Sequence, residues 1–108
     1  MVRLVEAFVR RVVVEGLSMA PTYAPGERLT ALRRLRRVRV GDVVVVPDPR
    51  APQRLLLKRC VARSGRSLDL RGDNVAASTD SRDFGPVDEG SVRWVLARSS
   101  WRAAASDR

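Results

Sequence analysis

Turn-forming residues cut this chain into short runs of β-branched and apolar residues, and this division limits the folds that it can adopt. Glycine or proline lies at or near the end of most runs, and four successive valines occupy positions 43–46. The prolines at positions 47, 49 and 52 are expected to end the valine strand. We predict strands at residues 9–15, 28–32, 38–40, 43–46, 54–63, 67–71 and 92–97. Short strands that follow one another through turn signals indicate a mainly β domain.

The length of 108 residues is enough for one domain with one modest core. We expect that domain to span residues 1–98, with a short amphipathic helix at residues 1–8 and a disordered tail at residues 99–108. The longest apolar run, at residues 43–46, is far shorter than the roughly 20 residues of a membrane-spanning helix. No transmembrane span is therefore expected.

Two features bear on where the protein works. Charged residues at positions 3, 6, 10 and 11 interrupt the apolar stretch that a secretory signal would need. Cys60 is the one cysteine, so it cannot form an internal disulfide or supply a structural zinc site. We expect a cytoplasmic protein, and contact with a membrane surface stays open.

The net charge of +9 raises the question of nucleic acid, since clustered cations release counterions when they meet phosphate. The densest cluster consists of arginines at positions 33, 34, 36, 37 and 39, and none of the five aromatic residues is interleaved with it. Because a stacking platform is missing there, we do not expect a nucleic-acid partner. A solvated basic face, or attraction to an acidic partner or membrane surface, is the simpler interpretation.

A single lysine stands among the 21 basic residues, and the chain contains no histidine. Arginine stays protonated in proteins, whereas burial can make a lysine amine neutral. Lys58 is therefore the one basic side chain that could accept a proton, and chemistry that depends on histidine is excluded. A bias toward arginine that left one lysine by chance is the alternative.

Two segments carry residues that could use such a base. Ser18 follows Gly16 where a strand ends and the backbone turns, a geometry that exposes a hydroxyl and can aim backbone N–H groups at one oxyanion. Strand alternation places Lys58 on the same face as Leu56 and Cys60, so its amine could rest against apolar neighbours that lower its pKa. An ordinary loop and a surface lysine at a sheet edge are the alternatives.

A third segment, residues 72–87, is dense in polar turn-forming residues. Asp80 and Arg82 are spaced for a local ion pair. A solvated turn with capping side chains is the simplest interpretation of this segment.

Taken in order, these segments resemble the signature series of type I signal peptidases: Gly-x-Ser-Met-x-Pro-Thr, Gly-Asp-Val-Val, Leu-Lys-Arg, and Gly-Asp-Asn-x-x-x-Ser-x-Asp-Ser-Arg-x-Phe-Gly. The resemblance implies an irregular antiparallel β domain of the signal peptidase and LexA-like type. It implies that Ser18 is the nucleophile and Lys58 the general base of a Ser/Lys dyad. Ser78 matches the serine that orients the lysine amine.

The same resemblance assigns supporting roles. Gly16 stands where some relatives carry a serine that donates to the oxyanion, so the site here would rely on backbone or water. The remaining matched positions imply a structural loop and a supporting ion pair, and they are Gly72, Asp73, Asn74, Asp80 and Arg82.

Only residues 59–71 separate the lysine segment from the Gly-Asp-Asn loop, where typical signal peptidases carry a large insertion. With its short length, the chain looks most like the soluble branch that matures nickel-type superoxide dismutase. This implies a protein substrate with an N-terminal leader, and neither a cofactor nor a metal of its own. A self-cleaving repressor-type peptidase domain and an inactive basic nucleic-acid-binding β module are the alternatives.

Overall fold

Residues 8–105 are described by a computed structural model, and they form a seven-stranded antiparallel sheet. The spatial order of the strands is β1-β2-β7-β3-β4-β5-β6. Their bounds are β1 Val9–Val13, β2 Arg28–Arg33, β3 Val43–Asp48, β4 Ala51–Ser64, β5 Ser67–Arg71, β6 Val87–Asp88 and β7 Trp94–Leu96. The prediction of a mainly β, antiparallel domain is confirmed.

The valine run forms the centre of the sheet because β3 pairs with β4 on one side and with β7 on the other. Its side chains alternate between two apolar clusters, with Val44 and Val46 in one and Val43 in the other. A strand that is buried on both faces needs apolar residues at every position, and this explains the uninterrupted run.

Helical structure is limited to short pieces beside the last strands. The loop after β5 contains a 3₁₀ turn at Val75–Ala77 and helix α1 at Ser81–Phe84, and a second 3₁₀ turn covers Glu89–Ser91. Helix α1 begins with a capping box, in which the Asp80 side chain accepts the Asp83 backbone N–H and the Asp83 side chain accepts the Asp80 backbone N–H.

The strand predicted at residues 38–40 is wrong. Val38 is buried, but its N–H donates to the carboxylate of Glu89 at 2.8 Å and does not enter the sheet. The prolines also fail to end the strands where expected, because Pro47 lies within β3 and Pro52 within β4. Both residues lie near strand ends, where a missing N–H costs little.

The helix expected at residues 1–8 falls almost entirely outside the described residues. Between residues 8 and 105, no helix is long and apolar enough to cross a bilayer.

The C-terminal segment differs from the expected disordered tail as far as residue 105. The Tyr23 hydroxyl donates to the Ser100 carbonyl at 2.9 Å and accepts the Arg102 N–H at 2.7 Å. The Ala105 N–H donates to the Thr22 hydroxyl at 2.8 Å. These bonds hold the segment against the turn that follows Ser18.

Candidate active site

Buried residues that follow Ser18 anchor its turn to the core. Gly16 adopts a φ of +72°, a left-handed conformation that favours glycine, and the chain leaves the sheet there. Met19 and Tyr23 are buried just beyond, and the Tyr23 N–H donates to the Met19 carbonyl at 2.9 Å. Ser18 itself is partly exposed, so a buried frame presents its hydroxyl to solvent.

Lys58 lies on β4 directly opposite Val44 of β3, and it is only 2% exposed. Leu56 and Cys60, two residues to either side, pack into one apolar cluster, in agreement with the predicted face. The amine donates to the Ser78 hydroxyl oxygen at 2.9 Å. Burial lowers the pKa of Lys58 below its usual value, because a charged amine loses hydration there.

The Gly-Asp-Asn segment fastens the serine turn to the rest of the site. The backbone N–H of Asn74 donates to the Ser18 carbonyl at 2.8 Å, and its side-chain amide donates to the Leu17 carbonyl at 3.0 Å. A Cβ on Gly72 would collide with the Ser78 side chain and lie 2.5 Å from the Ser18 carbonyl oxygen. Glycine is therefore the residue that allows these two serines to approach each other across the loop.

Ser78 belongs to a polar network that runs away from Lys58. Its hydroxyl donates to Asp80 at 2.7 Å, and Arg82 pairs with the same carboxylate at 2.6 Å. The Gly72 N–H also donates to Asp80, at 3.0 Å. Asp80 is fully buried, and its hydrogen bonds to Arg82 and Ser78 outweigh the effect of burial, so its pKa lies well below the usual range.

Asp73 takes part in a buried ion pair that sequence reasoning missed. Its carboxylate accepts two bonds from Arg59, at 2.9 and 3.0 Å. The same guanidinium donates to the carbonyls of Gly41 and Arg102. The charge of Arg59 is thus fully engaged beneath the loop. In the sequence, only the position of Arg59 next to Lys58 pointed to a role for Arg59 near the site.

Ser18 and Lys58 line one cleft of about 630 Å³. One wall is the end of β1 and the following turn, residues 11–17, and the other wall is residues 53–57 of β4. These walls are separated by three strands in the sheet order, so the sheet curls to bring them together. The pairs with β5 begin only at Arg59, which leaves the first half of β4 with one unpaired edge on this part of the described chain.

This fold and this cleft define a signal peptidase-type β domain, and comparison with known families agrees. The family model described as "Signal peptidase, peptidase S26" matches residues 1–75, and the chain belongs to this family.

Individual relatives carry more specific names. The chain is 35% identical to the mitochondrial ATP-independent inner membrane protease subunit 1a of Arabidopsis thaliana, over 68% of this chain and 60% of that protein. It is 30% identical to the mitochondrial inner membrane protease subunit 1 of Schizosaccharomyces pombe, over 82% of this chain and 71% of the relative. The corresponding human subunit is 26% identical, over 83% and 68%. These names give no support to the expected likeness to the superoxide dismutase maturation branch.

Proposed function

We propose that this chain is a serine peptidase that removes an N-terminal leader from a protein substrate, with Ser18 as nucleophile and Lys58 as general base. One observation carries the proposal: the only lysine is buried in the cleft that Ser18 lines, and Ser78 holds its amine. Family membership favours this function over the self-cleaving repressor and the nucleic-acid module.

The burial of Lys58 supports its role as a base. An amine accepts a proton only in its neutral form, and desolvation makes that form accessible at a lower pH. Neutral Lys58 takes the proton of Ser18 as the serine oxygen forms a bond to the substrate carbonyl carbon. The protonated amine then gives that proton to the leaving amine as the peptide bond breaks.

The backbone around Ser18 supports the oxyanion that forms in this step. Asn74 donates to the Ser18 carbonyl and to the Leu17 carbonyl, and the two bonds hold the peptide planes on either side of Ser18. Among the described residues, the Ser18 N–H has no acceptor, so it is available to the developing negative oxygen. Gly16 has no side chain to add a donor. Water activated by Lys58 then hydrolyses the acyl-enzyme.

The unpaired edge of β4 supports binding of an extended peptide. Residues 53–57 can donate and accept backbone bonds to a substrate strand in the cleft, and Leu55 is 65% exposed beside that edge. Leu56 and Leu57 also line the cleft. We expect these leucines to contact small side chains near the cleaved bond.

The substrate is a protein with an N-terminal leader, and the precursor of nickel-type superoxide dismutase is the specific candidate. The relatives are named as proteases of a membrane, and this chain has a net charge of +9. The proposal therefore includes contact of this basic chain with an anionic membrane surface.

The test incubates purified protein with leader-bearing precursors, including that of nickel-type superoxide dismutase, and identifies products by mass spectrometry. We expect Ser18→Ala and Lys58→Met each to lose at least about 100-fold in kcat/KM. Ser67→Ala, which alters an exposed serine on β5, is the matched control and should cut like the parent. Cleavage by both dyad variants at the parental rate would refute the assignment.

A further inference from the structure

The Ser78 hydroxyl has three polar neighbours and only one proton. Its oxygen lies 2.9 Å from Lys58 Nζ, 2.7 Å from an Asp80 carboxylate oxygen and 3.2 Å from the Gly72 backbone nitrogen. The Gly72 N–H can only donate, so it uses a lone pair of the hydroxyl oxygen. The hydroxyl proton therefore has two possible acceptors, the carboxylate of Asp80 and the lone pair of a neutral Lys58 amine.

The choice between these acceptors decides whether Lys58 can act as a base. A neutral amine has two N–H donors and one lone pair. If Ser78 donated to that lone pair, the amine could not receive the proton of Ser18. If Ser78 donates elsewhere, Lys58 can give an N–H to the Ser78 oxygen and keep its lone pair free.

The surroundings of Asp80 make its carboxylate the stronger acceptor for the Ser78 proton. It is fully buried, and Arg82 donates to both of its oxygens, at 2.9 and 2.6 Å. Two donors with fixed positions, the Gly72 and Arg82 backbone N–H groups, add to this at 3.0 and 3.1 Å. An ionised carboxylate so held can only accept, and charged acceptors form the stronger hydrogen bonds.

We propose that Asp80 is a positioning residue that holds the Ser78 proton away from Lys58, so that the lysine lone pair stays free for Ser18. This inference rests on the proposed Ser/Lys function. It goes beyond support of the loop, because Asp80 acts on the reaction through the proton of Ser78.

The charges around Lys58 give this role a measurable signature. Burial lowers the pKa of Lys58 most, while Asp80 raises it and Arg82 lowers it. Asp48 and Asp83 also act on the amine, and both raise its pKa. Asp80→Asn should therefore shift the lysine titration to lower pH, and Arg82→Gln should shift it to higher pH.

The experiment uses the fact that the chain has one lysine. Growth with ¹³C-labelled lysine gives a single side-chain signal, and its titration by NMR reports the pKa of Lys58 without any substrate. Kinetic pH profiles are measured on the same proteins. We expect Asp80→Asn to lower the plateau kcat on the order of 100-fold and to shift both the signal and the acidic limb of the profile to lower pH.

A purely structural role for Asp80 predicts a different result. If Asp80→Asn merely opened the loop, water would reach the amine and the pKa of Lys58 would rise toward its usual value. That rise would overturn the proposal. Asp69→Asn, which removes a carboxylate paired with Arg71 on β5, is the control and should leave the titration in place.

A second comparison tests whether Asp80 acts through Ser78. On a Ser78→Ala background, Asp80→Asn should cost less than about threefold in kcat, because no hydroxyl proton remains to be directed. An undiminished loss on that background would also overturn the proposal. If Asp80→Asn does not fold, the Arg82→Gln titration decides, since a shift to lower pH contradicts the charge arrangement.

Failure of the proposed function looks different from failure of this inference. A Ser18→Ala variant that cuts at the parental rate refutes the dyad, and a parent protein that cuts none of the precursors refutes the leader-removing function. The lysine titration still measures how Asp80 and Arg82 act on the amine.

Discussion

Replacement of Gly72 with alanine tests whether the Gly-Asp-Asn loop sets the distance between Ser18 and Ser78. The backbone of Gly72 lies outside the left-handed region, so alanine can adopt its conformation without strain. The added methyl group would nevertheless lie 2.5 Å from the Ser18 carbonyl oxygen and 2.7 Å from Ser78 Cβ. Neither neighbour is the free end of a long side chain.

The size of the effect follows from these contacts. An ordinary contact needs at least 3.4 Å, so the Ser18 carbonyl and the loop have to separate by about 1 Å. Overpacking of this kind costs about 1–3 kcal/mol in the free energy of unfolding. A displacement of about 1 Å at a reacting group can cost about 100-fold in rate. The change therefore moves Ser18 and Ser78 apart, and a 100-fold loss of rate, about 2.7 kcal/mol in the barrier, is comparable to the loss of stability.

Thermal unfolding and cleavage of a leader peptide measure the two effects separately. Each kcal/mol lost should lower Tm by about 4–8 °C in a domain of this size. Gly65→Ala is the matched control, because Gly65 has a φ of +58° and open space around its Cβ position. It should lose about 1–2 kcal/mol through backbone strain and keep its kcat.

The opposite pattern would refute the reasoning. If Gly72→Ala cuts at the parental rate, or if Gly65→Ala loses as much kcat as Gly72→Ala, then Gly72 does not set the spacing of the two serines.

Three further changes probe the buried charges and the C-terminal contact. In the unfolded chain Lys58 keeps its proton up to about pH 10.5, whereas the folded amine, with its lowered pKa, releases the proton at a lower pH. The free energy of unfolding should therefore rise with pH between these two pKa values. Chemical denaturation should show this rise in the parent protein and not in Lys58→Met. Hydrogen bonds from Arg63 and the Val38 N–H hold the pKa of Glu89 at about 2. The stability that Glu89 contributes should be present above pH 4.5 and lost as pH falls through 2. The denaturation midpoint of Glu89→Gln should therefore vary less over that range than that of the parent protein. Tyr23→Phe removes two hydrogen bonds to the C-terminal segment and should cost about 1–2 kcal/mol, with faster amide exchange in residues 100–105; unchanged exchange there would contradict the contact.

The sequence predicted best where local chemistry dominates. The β-branched valines at 43–46, bounded by turn residues, favour a buried strand, and the Ser64–Gly65 pair marks the turn between β4 and β5. Strand alternation correctly placed Lys58 with Leu56 and Cys60. The ion pair of Asp80 and Arg82 also follows from spacing alone.

Long-range contacts explain what the sequence did not predict. Val38 reads as a strand residue, but the carboxylate of Glu89, 51 positions away, takes its N–H. Nothing local marks Arg59 as the partner of Asp73. Helix α1 is an exception, because the Asp80-x-x-Asp83 spacing is a recognisable capping signal.

The open edge of β4 has a cost for any protein that carries one, because an exposed strand can pair with the same strand of another molecule and begin aggregation. Here Pro52 cannot donate a backbone bond, and Arg54 adds a charge to this part of the strand. Such residues discourage self-association at strand edges. The edge of β4 can thus stay unpaired beside the cleft while these residues disfavour pairing with a second copy of the chain.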